Sequence, residues 1–366
     1  MDDLNNIGKK DANRITRRVA LKNLSVGAAG ALIVPSWGAN KTLVSTQPTL
    51  NVYSDYSWLR GFNIIPSWGS RIEEAWWYYD PVKMRQEAAL AREVHANCIR
   101  LWIEFTAWMA DPAKVTERFL DAVRAIDEAG MKTMPCIFNR WHDAQYDYGG
   151  LYLENIDKNW DPMMKYVREI VTPLADDPRI LIWDLCNEPQ TSRNRKIKPE
   201  SEYGKLELKF FEEVAKTVRN AGAKQPITIG TMRAPQIELF AHIPDVLCAH
   251  PYIREESELK EVIQVLKAVE EKYNKPMLVN ECMAGGLDDY ARANLVKCHS
   301  ELLEAAGFGW MAWALKEGKA ISTRKDRMDG NGINGEGFHP FFTKEGKLRN
   351  GLNFLKIKPK KPAPWE

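Results

Sequence analysis

The sequence lacks an excess of charge of either sign: 51 Lys and Arg stand against 49 Asp and Glu, a formal net charge of +2. That excludes the broad basic field by which a protein binds nucleic acid. Past the N-terminal region it has no apolar run long enough to cross a bilayer, so no membrane span is expected in the mature chain. It has no CxxC pair and no Cys/His cluster, which leaves a zinc site without ligands, and nothing calls for a cofactor. No Gly-rich phosphate loop follows the first apolar run, "RGFNII", as a doubly wound nucleotide-binding sheet would require. There is no internal repeat and no Pro/Gly/Ser-rich linker, so one domain is expected.

What is present is a soluble globular composition, 45% apolar and 27% charged over 366 residues, with thirteen tryptophans that need a core or a job. Residues 1–45 are of another kind. A polar, basic start leads to "TRRVALK", with Arg17 and Arg18 adjacent, and then to the short apolar run "LSVGAAGALIV". That run is too short for a membrane span and suits a signal segment; the pair resembles a twin-arginine export motif. The expectation is a leader over 1–45, a barrel over 46–355, a disordered basic tail over 356–366, and an exported protein, periplasmic or extracellular. The six cysteines fall on predicted strands and one helix, so they read as buried free thiols. A route that carries folded proteins is compatible with reduced cysteines.

From residue 57 onward short apolar runs alternate with amphipathic segments. Eight runs qualify as strands: "RGFNII", "NCIRLWI", "KTMPCIF", "ILIWDLC", "PITIG", "VLCAH", "PMLVNE" and "FGWMAWAL". Between them lie helical patterns. Asp80-Pro81, Asp111-Pro112 and Asp161-Pro162 read as helix starts, an acidic cap followed by a proline that needs no N–H partner. Gly130 and Gly222 read as stops. Continuous apolar strands separated by helices mean a parallel sheet covered by helices. Eight repeats in this length predict an α/β fold, a (β/α)8 TIM barrel.

In such a barrel the functional residues stand where strands end. The second strand carries Arg100, and Trp141 and His142 follow the third. The fourth ends at Asn187-Glu188, the sixth at His250-Pro251-Tyr252, the seventh at Asn280-Glu281, and the eighth carries Trp310 and Trp313. A carboxylate at a strand end is costly unless paired, hydrated or used. Two of them facing a tryptophan-rich mouth suit glycoside hydrolysis, which needs one acid for the leaving oxygen and a second carboxylate for attack. Aromatic faces suit sugar rings.

These residues, in this order, resemble the retaining (β/α)8 clan of glycoside hydrolases, most of all glycoside hydrolase family 5, over roughly residues 57–320. The resemblance implies Glu188 as acid/base, Asn187 on the sugar 2-hydroxyl, Glu281 as nucleophile, and Arg100 orienting it. It implies His250 and Tyr252 as the sixth-strand pair, with Tyr252 near Glu281, and Trp313 as the platform under the reactive sugar. The family often places a histidine directly on the third strand; here His142 comes several residues later, and Trp141 or Asn139 are rivals for that space. The implied activity is a monomeric retaining hydrolase of β-linked oligo- or polysaccharides, mannanase- or cellulase-like.

Plainer roles compete at several positions. Arg100 also suits a pair with Asp184, and Trp183 and Trp310 suit packing. "EEAWWYYD" suits remote subsites or a lid, and Trp68, Trp102 and Trp108 suit either wall or core. "RNRKIK" suits a solvated loop. The Gly-rich stretch from Gly318 to His339, with Asp329 and Glu336, suits a loop that shapes the pocket. Two rival functions use the same scaffold. One is a non-catalytic carbohydrate-binding barrel; the other is a metal-dependent sugar isomerase or epimerase, which needs more His, Asp and Glu ligands than the strand ends supply.

Overall fold

Every one of the eight apolar runs becomes a strand. They are β1 (Arg60–Ile64), β2 (Cys98–Trp102), β3 (Lys132–Asn139), β4 (Trp183–Asn187), β5 (Ile227–Gly230), β6 (Leu247–Cys248), β7 (Met277–Cys282) and β8 (Gly309–Ala312). The structure, a computed structural model, describes residues 50–140, 142–143, 148–149, 152–190, 198–323 and 337–366. The leader 1–45, Trp141, "RNRKIK" up to residue 197, Asp329 and Glu336 lie outside the described residues, as does the side chain of His142.

The strands pair in parallel in the ring order β5-β4-β3-β2-β1-β8-β7-β6. The seam between β5 and β6 is closed by a lone parallel bridge, Thr231 to Ala249. Two threonine hydroxyls tie it further: Thr228 donates to the Val246 carbonyl at 2.7 Å and Thr231 to the Cys248 carbonyl at 2.6 Å. The strands are thus wrapped into a TIM barrel. A short antiparallel hairpin, His142–Asp143 with Tyr148–Gly149, follows β3.

The caps form where expected at two starts. Asp80 accepts from the Val82 and Lys83 N–H groups ahead of helix Pro81–Glu93, and Asp111 accepts from Lys114 N–H ahead of Pro112–Glu128. Gly130 and Gly222 take φ values of 77° and 94°, the left-handed stop that costs a glycine least. The third start is corrected. The helix runs Ile156–Val171 with Pro162 inside it, because Ile156, Met163, Val167 and Ile170 form one buried face that reaches back past the proline.

Alternation along the strands layers the barrel interior. Cys98, Met134, Ile182, Leu278 and Met311 share an apolar cluster with Tyr56, Trp58 and Leu59. Two residues further along their strands come Arg100, Cys136, Asp184, Asn280 and Trp313. The apolar layer plugs the barrel towards the strand N-termini, and the polar layer leads to its mouth.

The tail is a second correction: it docks. Ala363 is buried in the plug, the Trp365 ring meets Trp58 edge-on at 5.0 Å, and Lys132 sits 4.7 Å over Trp365. Trp365 is half-buried, and its ring contact with Trp58 outweighs the solvation of the lysines around it. Residues 48–366 accordingly form one compact unit.

Candidate active site

The site grows from Arg100. On β2 its side chain can only point into the barrel, where it is wholly buried. A buried guanidinium demands acceptors. It donates to Asp184 at 2.8 Å, Asn63 at 2.8 Å, Asn187 at 2.9 Å and Glu281 at 2.7 Å. Arg100 therefore pairs with Asp184 and with Glu281 at once. The charges of Asp184, Glu281 and their neighbours outweigh burial and hold Arg100 protonated.

Glu281 ends β7 with both oxygens engaged. Oε2 accepts from Arg100 and Oε1 from the Tyr252 hydroxyl, each at 2.7 Å. Burial, with Glu188 adding to it, holds its carboxyl above the usual range, while His250, Arg100 and Tyr252 pull against that rise. Two short charge-assisted bonds favour the anion. Across from it Glu188 follows β4, with Oε1 3.0 Å from His250 Nδ1. One oxygen of each carboxylate and a ring nitrogen of His250 lie within 4.8 Å of one another.

His250 is the third corner. Nε2 faces the Oδ1 of Asn280 at 2.8 Å, and the Asn280 amide in turn donates to Asp184 at 3.0 Å. Burial alone would discharge the ring, but Glu281 and Glu188 outweigh it and push His250 up to about 10. Gly230 on β5 makes the room: a Cβ there would stand 2.8 Å from His250 Nε2 and 3.0 Å from Arg100. A histidine raised in the folded state stabilises it fully below its unfolded value near 6.5, and that stability is lost as pH rises through about 10. Urea unfolding should therefore show stability falling across that window, and His250→Gln should flatten the fall; an unchanged slope would refute the raised imidazole.

Three partners escaped the sequence reading: Asn63, Asn280 as the histidine's acceptor, and Gly230. The available signal was polar residues at alternate positions of otherwise apolar strands, "RGFNI" and "MLVNEC". The tryptophans sort cleanly. Trp313 meets Trp102 at 5.3 Å and 52° beside the polar layer, so Trp102 belongs to the wall. Trp183, Trp310 and Trp108 are core. Of "EEAWWYYD", Trp76 is a core residue whose Nε1 donates to the Trp102 carbonyl at 2.9 Å, while Trp77 and Tyr78 are exposed.

Residues 59–319 match the cellulase family, glycosyl hydrolase family 5. The chain belongs to that family. Its fold is the TIM barrel. A curated relative, a probable mannan endo-1,4-beta-mannosidase C of Aspergillus terreus, is 31% identical over 102 residues, 24% of this chain and 24% of the relative. An exo-beta-1,4-mannosidase from an Opitutaceae bacterium superposes with a TM-score of 0.64 at 17% identity, covering 81% of this chain and 58% of that one. Thermotoga maritima Cel5A, solved with a mannotriose substrate, gives 0.60 at 15% identity, covering 83% and 99%. At such identities the structural likeness is one of fold.

The triangle of Glu188, His250 and Glu281 has the donor types of a cation site. Arg100 sits 2.7 Å from one of those oxygens, and a guanidinium so placed opposes a dication. The donor set suits two-carboxylate chemistry better than a metal-dependent isomerase.

Proposed function

We propose that this family 5 protein is a retaining glycosidase with Glu281 as nucleophile and Glu188 as acid/base. The observation that carries the reading is the carboxylate spacing. Retention needs carboxyls about 5 Å apart and inversion leaves room for a water at about 6.5–9.5 Å; here the nearest oxygens lie within 4.8 Å. The different partners of the two glutamates assign the roles. Glu281, held by Arg100 and Tyr252, attacks the anomeric carbon as the bond to the leaving oxygen breaks, and Glu188 gives that oxygen its proton. Water then attacks the same carbon, Glu188 takes the water's proton, and Glu281 departs. Asn187 suits the sugar 2-hydroxyl, and Trp313 with Trp102 suits a platform for the ring. Trp141 and His142 stay candidates for the glycan wall.

The substrate we propose is a β-1,4-linked mannan-type glycan, supported by the names of the curated relative and both structural neighbours. Proton NMR during the first turnovers on mannan and cellulose oligosaccharides tests substrate and stereochemistry together. Release of the β anomer first supports retention; release of α overturns it. Glu188→Gln should lower kcat/KM on the glycan by about 10²–10⁴-fold. We also propose export through the twin-arginine route, which the six free cysteines suit; fractionating cells that express the full chain tests it.

A further inference from the structure

The turn that carries Glu188 is held from behind by a buried ion pair. β4 ends at Asn187, and the chain turns through Glu188 at φ 50°, Pro189, and Gln190 at φ 60°. Two non-glycine residues in the left-handed region persist only where their surroundings over-determine them. The backbone groups show how. Glu188 N–H donates to the Gly230 carbonyl at 2.7 Å. The Asn187 carbonyl accepts from Arg140 N–H at 2.9 Å. Pro189 has no N–H to give. Burial pushes the Glu207 carboxyl up to about 7, and Arg140 and the Gln190 backbone pull against that rise.

Glu207 belongs to helix Glu202–Asn220, on the far side of the turn, and is 0% exposed. Arg140, 1% exposed, directly follows β3 and approaches Glu207 at 3.2 Å. Its neighbour Asn139 accepts from the Asn187 amide at 3.1 Å. Glu207 thus seats Arg140, and the Arg140 N–H holds the Asn187 carbonyl that leads into the turn. A buried ion pair is seldom more stabilising than apolar residues of the same volume. What apolar residues would not supply is a fixed seat for Arg140.

We propose that Glu207, paired with Arg140, is a positioning residue that aims Glu188 at the leaving oxygen, so that proton donation depends on it. The proposal rests on Glu188 being the acid/base. It is tested with two glycosides of one sugar, phenyl and 2,4-dinitrophenyl, by kcat/KM, which reports only steps up to departure of the aglycone. Dinitrophenolate leaves without a proton; phenolate needs one. Glu207→Gln should lose about 10²-fold on the phenyl glycoside, the scale of a 1 Å misplacement, and no more than about twofold on the dinitrophenyl one. Equal losses on both, or none on either, overturn the proposal. Glu188→Gln is run beside it. If that variant shows no such split, the acid/base reading fails and this proposal with it. If it splits and Glu207→Gln does not, only the positioning role fails. Should Glu207→Gln not fold, Arg140→Lys carries the same test, since it keeps the charge but loses the planar fork.

Discussion

Glutamine at position 281 should lower kcat/KM on the glycan by on the order of 10⁵-fold while leaving the fold intact. Glutamine keeps the volume of the side chain and removes the charge that attacks the anomeric carbon. It also turns one acceptor oxygen into a donor amide, facing either Arg100 or Tyr252, both of which now donate at 2.7 Å. The loss is therefore chemical, and the ground-state structure survives because Arg100 keeps Asp184, Asn63 and Asn187. A fluorinated dinitrophenyl glycoside checks the assignment directly. The wild type should gain the glycosyl mass on the peptide that holds Glu281, and the variant should not. Label on another peptide, or a tenth of wild-type activity in the variant, would remove Glu281 as the nucleophile.

Arg100→Met should cost about 3–5 kcal/mol of stability, the usual consequence of breaking a buried pair from one side. Methionine fills the space but leaves two buried carboxylates, Asp184 and Glu281, without their guanidinium. Activity should fall as well, with a diagnostic sign. Arg100 pulls the Glu281 carboxyl down against burial. Without it the carboxyl rises, so the acidic limb of the kcat/KM profile moves to higher pH. Arg100→Lys should lie nearer to methionine than to wild type, because one ammonium cannot meet four acceptors arranged around a planar fork. Urea unfolding at pH 7 with a loss under about 1 kcal/mol would show that the network does not depend on Arg100.

The strand and helix order, the barrel class and the strand-end residues of the candidate site were legible because each rests on short-range signals. A buried strand is a local apolar run, a helix start is a local Asp-Pro, and Asn187-Glu188 and Asn280-Glu281 break their strands at places where a parallel barrel keeps its chemistry. Where the local signal misled, burial elsewhere in the molecule had the larger effect. The helix around Pro162 extends back to bury Ile156, and the basic tail docks because Trp365 finds Trp58.

By itself the sequence determined which residues could react and roughly which strand would carry each. Only the tertiary structure decided their partners. Arg100 meets Asp184 and Glu281 from 84 and 181 positions away. Gly230 makes room for His250 just beyond the end of β6, and Glu207 pairs with Arg140 after β3. The reason is geometric. Closing eight strands into a ring brings residues distant in the chain into one polar layer, and in that low-dielectric layer each charge is set by its neighbours across the barrel, which no local pattern encodes.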